Sequence, residues 1–178
     1  MRILVLSARG ISLFELLVVL VITAVLATLA MSGGRASLDR VRVTTVSTEF
    51  RAALAFARAA AIRRGERVDL LPLTPAGWQT GWQVAIDLNN NQRVDAGEPI
   101  LRSSLALPPG IQVIPSLSDS AHDYLAFDAS GRPRSAHGAS QPQFGSLLFR
   151  AGDERRKLVI GFLGRVRLCD PDRDRSAC

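Results

Sequence analysis

The residues best suited to binding chemistry lie near the end of the 178-residue chain. Arg165 and Arg167 follow Gly164 after an apolar segment, and in an extended strand their side chains point to one face about 6.6 Å apart. A guanidinium is planar and donates two hydrogen bonds to one phosphate, so the pair could grip a phosphate backbone. The spacing also fits the solvated edge of a sheet, where charge prevents aggregation. Both interpretations remain open from these residues alone.

Further charges surround this pair. Between residues 150 and 178, eight residues are basic and five are acidic, a net charge of +3, which is a weak field for nucleic-acid binding. The whole chain carries a formal net charge of +6, which favours anionic partners but is equally typical of a solvated Arg-rich surface. We expect five nearby basic residues to extend the positive surface around the pair: Arg155, Arg156, Lys157, Arg173 and Arg175. Five acidic residues are expected to reduce its positive charge: Asp153, Glu154, Asp170, Asp172 and Asp174.

The two cysteines of the chain, Cys169 and Cys178, lie close together at its end. Isolated, paired, terminal cysteines are typical of a disulfide in an oxidising compartment, which would place this part of the chain outside the cytoplasm. A zinc site needs more ligands than these cysteines and the distant His122 and His137 provide. We therefore predict a disulfide and no metal.

The segment Asp87–Glu98 carries oxygen side chains at the spacing of a calcium-binding loop. However, Gln92 stands where the loop requires glycine, and the flanking segments read as strands rather than helices. Asn and Asp are also common in hairpin turns for conformational reasons. We interpret the segment as a turn, with calcium binding as the alternative.

No set of residues provides a nucleophile, a base and an orienting group. The sequence contains neither a glycine-rich phosphate loop nor an HExxH motif, and both histidines lie in polar segments. We predict that the protein is not an enzyme and has no cofactor.

Residues 11–30 form an apolar run whose single formal charge is Glu15. The run has the length that a helix needs to cross a bilayer and is too long for the apolar region of a secretory signal peptide. A carboxylate in lipid is unfavourable by a few kcal/mol. Glu15 must therefore either reach the membrane interface or have a charged partner.

This N-terminus, Arg9-Gly10 followed by ISLFELLVVL, resembles the prepilin signal of type IV pilins and type II secretion pseudopilins. The resemblance implies cleavage after Gly10 by a prepilin peptidase, methylation of Ile11, and a mature chain of 178 − 10 = 168 residues. It also gives Glu15 a partner for filament assembly, the N-terminal amine of a neighbouring subunit. Ile11 and Ser12 replace the usual Phe and Thr conservatively.

The elements that must position these residues form an α+β pattern. Apolar positions recur every three or four residues from Leu38, which predicts an amphipathic helix ending at Gly65, and Gly33-Gly34 predicts a joint before it. Short β-favouring runs then predict an antiparallel sheet. The predicted strands are 68–73, 82–87, 100–104, 111–115, 125–127, 144–150, 157–163 and 166–168.

Several segments resemble the GspH/FimT family of minor pilins and pseudopilins. They are Phe56–Val68, Gly81–Asp87, Glu98–Arg102 and Phe127–Arg132. The resemblance implies a pilin-like fold in which a long N-terminal helix, with a transmembrane half and an amphipathic half, packs on antiparallel sheet. It divides the chain into a leader at 1–10, a transmembrane half at 11–34 and a globular domain at 35–178.

Within this family, FimT-type minor pilins carry a Gly-Arg-x-Arg motif implicated in DNA binding during natural transformation. Here the motif falls on Gly164, Arg165 and Arg167. The resemblance implies a single-pass inner-membrane protein with a periplasmic domain that later enters a pilus or pseudopilus. The expected partners are DNA, other pilins or pseudopilins, the prepilin peptidase and the inner membrane. The alternative is a GspH-like structural subunit, for filament assembly or type II secretion, that does not bind DNA.

Overall fold

We describe the chain from a computed structural model, which covers residues 12–121, 123–136, 141–174 and 178. It begins with a 52-residue helix, α1, at Leu13–Arg64. Ser12 caps this helix, because its Oγ accepts the backbone N–H of Glu15 at 3.2 Å. Gly65, with φ of +70°, ends the helix in the left-handed conformation that favours glycine. Residues 33 and 34 are helical, and each helical glycine costs only about 1 kcal/mol; the flexible joint at this position stays a prediction.

The chain divides into two compact units, Met1–Ser37 and Leu38–Cys178. In the first unit, the large apolar side chains between Leu13 and Leu26 are exposed. Among the residues that the structure describes, no helix meets the length and hydropathy needed to span a membrane. The transmembrane half at 11–34 stays a prediction, and Gly10 and Ile11 lie outside the described residues.

Two antiparallel sheets follow the helix. Their strands are β1 (Val68–Pro72), β2 (Trp82–Ala85), β3 (Ile100–Ser103), β4 (Gln112–Leu117), β5 (Leu125–Phe127), β6 (Pro133–Arg134), β7 (Gly145–Ala151), β8 (Glu154–Ile160) and β9 (Val166–Cys169). The first sheet has the order β3-β2-β1-β5-β6, and the second has the order β4-β7-β8-β9.

The core forms where the second half of α1 meets both sheets. Phe50 is fully buried at its centre, with ring centroids 5.1 Å from Trp78, 5.0 Å from Trp82 and 5.4 Å from Phe149, all edge to face. The helix contributes a stripe of buried residues, spaced three or four apart, at Val43, Val46, Phe50, Leu54, Ala57 and Ala61. The predicted amphipathic helix and the α+β fold are therefore confirmed, and both tryptophans are core residues.

Candidate nucleic-acid interface

Arg165 and Arg167 lie on the β8–β9 hairpin at the edge of the second sheet. Register pairs Ile160 with Val166 and Val159 with Arg167. In the connecting turn, the Gly164 N–H donates to the Gly161 carbonyl at 2.8 Å, and the Gly161 N–H donates to the Arg165 carbonyl at 2.9 Å. Val166 packs against the core, so the residues on either side of it point outward. The two arginines therefore share one face.

Gly164 occupies a position that admits no side chain. Its φ is +82°, and an added Cβ would lie 2.7 Å from the carbonyl oxygen of Gly131. Its own carbonyl accepts a 2.9 Å hydrogen bond from Nη1 of Arg58, which projects from α1. The turn before Arg165 is thus fixed by the helix on one side and by the Gly131 loop on the other.

Asp128 organises the loop that presents Gly131. Its Oδ1 accepts the backbone N–H groups of Ser130 at 2.8 Å and Arg132 at 3.0 Å, and its Oδ2 lies 2.6 Å from Nε of Arg134. Burial acts to raise the pKa of Asp128, but a hydrogen bond from the Ser130 hydroxyl at 2.6 Å, together with those just named, prevails and lowers it to about 2. The carboxylate is ionised at neutral pH, so the loop supporting Gly164 keeps its hydrogen bonds there.

Arg165 and Arg167 are both exposed, and neither forms an ion pair within the described part of the chain. The charges of both guanidiniums are therefore available to an anion from solution. On an edge strand they are also accessible to a large polyanion, because no strand in the described ranges pairs with the outer side of β9.

Three of the arginines expected to support the pair are already largely compensated. Arg155 binds both carboxylate oxygens of Asp172, at 2.6 and 3.1 Å. Nη1 of Arg156 lies 2.8 Å from Oδ2 of Asp170, and Nε of Arg173 lies 3.8 Å from the same oxygen. Burial acts to raise the pKa of Asp170, but a backbone hydrogen bond and the charge of Arg156 hold it below its ordinary value. Arg156 and Arg173 share one carboxylate, so the three arginines and their two carboxylates together keep a charge of +1, mainly at the exposed Arg173.

The other two expected supporters differ. Lys157 is half-buried on β8, opposite Cys169, and has no ion-pair partner among the described residues. Arg175 lies outside the described residues, as do His122 and His137.

The predicted disulfide is confirmed: Cys169 and Cys178 are bonded, with Cα atoms 5.9 Å apart. The bond closes the C-terminal segment onto the end of β9, directly after Arg167. It restricts the segment that carries Asp170 and Asp172, the acidic partners of the compensated arginines.

The Asp87–Glu98 segment is a loop whose carboxylates bind its own backbone. Asp87 accepts N–H groups of Asn91 at 3.1 Å and Gln92 at 2.7 Å, and Glu98 accepts two further backbone N–H groups. Within the described ranges, no group of three His, Cys, Asp or Glu residues could hold a metal. These contacts favour the interpretation as a turn.

Arg58 and Gly131 are structural contributors that the sequence did not reveal. Arg58 lies 106 residues from the carbonyl that it binds, so local sequence patterns do not indicate the contact. Gly131 lies in a family-like segment, which is the one signal that could have drawn attention to it.

A long helix packed on two antiparallel sheets is shared with two solved filament subunits. The type IV minor pilin FimU of Pseudomonas aeruginosa matches with a TM-score of 0.54 at 18% identity, over 73% of this chain and 94% of its own. The minor pseudopilin EpsH from the type 2 secretion system of Vibrio cholerae matches with a TM-score of 0.52 at 16% identity, over 73% and 98%. The fold is therefore that of a type IV pilin-like protein.

Sequence comparison narrows this class to a family. The model described as type II transport protein GspH matches residues 46–177, and the pilin-like protein PilA1 of Thermus thermophilus is 32% identical over 167 residues, 91% of this chain and 99% of its own. The chain belongs to the GspH family. It is a minor pilin or pseudopilin, a structural subunit rather than an enzyme, and it assembles with other pilins.

Proposed function

We propose that this chain is a minor type IV pilin that binds extracellular DNA through Gly164, Arg165 and Arg167, for uptake in natural transformation. The observation that carries the proposal is the pair of exposed arginines on one face of an edge hairpin, without acidic partners in the described chain. Gly164 and its contacts with Arg58 and Gly131 support it, because they hold the turn that presents the pair.

Contacts of this kind read phosphates rather than bases, so binding is independent of sequence and weakens strongly with salt. Affinity per subunit is low, since few cations are free. Several subunits in one filament, or neighbouring pilins, raise the overall affinity through avidity.

The proposal includes a route to the filament. Residues 11–34 anchor the precursor in the inner membrane, with the globular domain in the periplasm. The prepilin peptidase cleaves after Gly10, Ile11 is methylated, and Glu15 directs assembly into the pilus. The exposed apolar side chains between Leu13 and Leu26 and the disulfide in the C-terminal segment support this topology.

The test is binding of the full-length chain, in non-ionic detergent, to a short labelled DNA duplex across a salt series. We expect salt-dependent binding that the double variant Arg165→Gln/Arg167→Gln abolishes. The matched control is Arg93→Gln/Arg102→Gln, which removes the same charge from exposed positions on the side of the first sheet. Equal loss in both double variants would reject the assigned site. No binding of the wild type at low salt would reject DNA binding and leave a structural subunit of a pilus or secretion pseudopilus.

A further inference from the structure

The outward face of the second sheet carries cations on three of its four strands. Residues paired across antiparallel strands lie on the same face. Register places Arg150 of β7 opposite Arg155 of β8, and Arg167 of β9 opposite Val159 of β8. Lys157 lies midway between Arg155 and Val159 and so belongs to the same face. All of these residues therefore point away from the core.

Burial of the alternate residues confirms this assignment. Leu158 and Ile160 of β8 and Phe149 of β7, which alternate with the cations, are all within the core. Arg156 is on the core-facing side of β8, and it is there that Asp170 binds it. The ion pair between Arg156 and Asp170 therefore does not lie on the outward face.

Most of the positive charge on this face is uncompensated. Arg155 is neutralised by Asp172, but Arg150 has only a neutral partner, because its Nη2 donates to Oε1 of Gln112 at 3.0 Å. That bond orients the guanidinium without cancelling its charge. Lys157 has no ion pair within the described chain. The outward positions of the four strands, all of which the structure describes, include no acidic residue.

The free cations form a line that is long enough to contact several phosphates of one DNA duplex. Arg165 lies beside Gly161 at one end of β8, and Arg150 lies opposite Arg155 near the other end. At about 3.4 Å per residue, the six-residue separation along β8 spans roughly 20 Å, a little over half a turn of B-DNA.

We propose that bound DNA crosses this whole face and contacts Arg150, Lys157, Arg165 and Arg167. We call these four residues the outer-face track. DNA binding is therefore not limited to the terminal motif. This inference rests on the proposed function and adds two residues to its site. Arg150 and Lys157 contact phosphates further along the same DNA molecule. Arg155, although on the same face, contributes little because Asp172 occupies its guanidinium.

The salt dependence of binding measures the number of contacts. The slope of log K against log salt is about −0.9 per neutralised phosphate, so four contacts give about −3.6 and two give about −1.8. Between 50 and 200 mM salt, affinity should therefore fall about 150-fold for the full track but only about 12-fold for the motif alone.

The experiment measures these slopes for the full-length chain in detergent with a labelled duplex. Arg150→Gln and Lys157→Gln should each make the slope shallower by about 0.9, and their double variant should approach the motif-only value. Arg150→Lys keeps the charge and should keep the wild-type slope. Lys157→Met retains the apolar stem of this half-buried residue and should match Lys157→Gln, so that a folding defect is distinguished from loss of charge.

The outcomes separate the two proposals. A wild-type slope near −1.8 that Arg150→Gln and Lys157→Gln leave unchanged would overturn the track, while loss of binding in Arg165→Gln/Arg167→Gln still supported the motif. Changes equal to those in Arg93→Gln/Arg102→Gln would also overturn the track, because they would reflect net charge alone. Absence of wild-type binding would overturn both proposals.

Discussion

The β8–β9 hairpin carries arginines in two different states. At its turn, Arg165 and Arg167 are exposed and have no ion-pair partner in the described chain, whereas at its open end Arg155 and Arg156 are each bound to a carboxylate. All of them belong to one short stretch of sequence with a modest positive excess. Free positive charge in this hairpin therefore lies at the turn and at Lys157 in the middle of β8, and its availability depends on position rather than on count.

The C-terminal segment produces this difference. After β9, backbone N–H groups bind the side chain of Asp170, which turns the chain, and the disulfide ties its end back to Cys169. In this arrangement Asp170 and Asp172 of the segment bind the arginines at the start of β8. Neutralisation at one end of the hairpin and free charge at the other follow from that geometry, and each can be disrupted separately.

The largest effect should come from Gly164→Ala. The left-handed φ and the 2.7 Å approach to the Gly131 carbonyl both penalise a side chain, so we expect a loss of about 3 kcal/mol in the free energy of unfolding. Displacement of the turn should also weaken DNA binding. Denaturant titration of the full-length chain measures the first effect, and the duplex-binding assay measures the second.

Gly110→Ala is the matched control for this prediction. Gly110 has a similar φ of +87°, but an added Cβ there would meet no atom within 4 Å. It should show only the cost of the backbone conformation, about 1 kcal/mol. Equal destabilisation by the two substitutions would mean that the contact with Gly131 does not constrain the hairpin.

Arg67, half-buried just before β1, is bound to the fully buried Asp69 and provides a third state of arginine for comparison. Nε and Nη2 of Arg67 lie 3.0 and 2.8 Å from Oδ1 of Asp69, which is fully buried. Burial raises the pKa of Asp69 to about 6, against the opposing effect of Arg67, and the charges of Asp87 and Glu98 act in the same direction as burial.

This raised pKa predicts a pH dependence of stability. The folded state binds the proton of Asp69 more tightly than the unfolded state does, so the stabilisation is complete below about pH 4 and is lost as pH rises through about 6. The unfolding free energy should fall by about 2 to 3 kcal/mol across that window. Denaturant titrations from pH 4 to pH 7 measure it.

Asp69→Asn should remove that decline. Comparing the variant with the wild type at each pH cancels the carboxylates whose pKa is lowered, such as Asp128, whose contribution is lost as pH falls instead. If the two proteins show parallel profiles from pH 4 to pH 6, Asp69 does not titrate in this range.

The same hairpin shows what the sequence could and could not predict. The outward direction of Arg165 and Arg167 followed from strand alternation, which depends only on local geometry. The bounds of β8 were predicted at 157–163 but are Glu154–Ile160. Phe162 and Leu163 looked like strand residues, yet they lie in the turn and are 59% and 54% exposed.

The error arises because a tertiary contact, the pairing of β8 with β7, determines where β8 begins. Charged Glu154–Arg156 looks like a loop in isolation, but it forms the first three residues of the seven-residue strand β8 because β7 pairs with it in register. Likewise, hydropathy and spacing contain no trace of the contact between Arg58 and Gly164, which joins residues 106 apart. The buried stripe of α1, in contrast, was predictable because apolar residues recur every three or four positions in the sequence, as in an amphipathic helix.

Arg58→Ala tests whether that distant contact holds the turn. Losing a hydrogen bond from a charged donor to the buried Gly164 carbonyl should lower the unfolding free energy by about 1 to 2 kcal/mol. The Gly164 amide, which donates to Gly161, should also exchange faster with solvent. Arg51→Ala, on the same helix, is the control and should leave that exchange rate unchanged; equal acceleration in both variants would point to a general loosening of α1.

The smallest effect should come from Asp172→Asn, which frees Arg155 instead of removing a cation. Both side chains of this ion pair are about half exposed, so stability should change by less than about 1 kcal/mol. Since Arg155 lies opposite Arg150 on the outward face, its release should add a contact, tighten DNA binding, and steepen the salt slope by about 0.9.

The control for this gain is Asp153→Asn, which makes the same change in net charge at an exposed residue without an ion pair in the described chain. The double variant Asp172→Asn/Arg155→Gln should return to the wild-type slope. A slope that stays unchanged in Asp172→Asn would place Arg155 beyond the reach of the DNA and would limit the outer-face track to the half of the sheet nearest the turn. A steeper slope would instead show that the acidic C-terminal segment restrains DNA binding by occupying a cation that already faces the DNA.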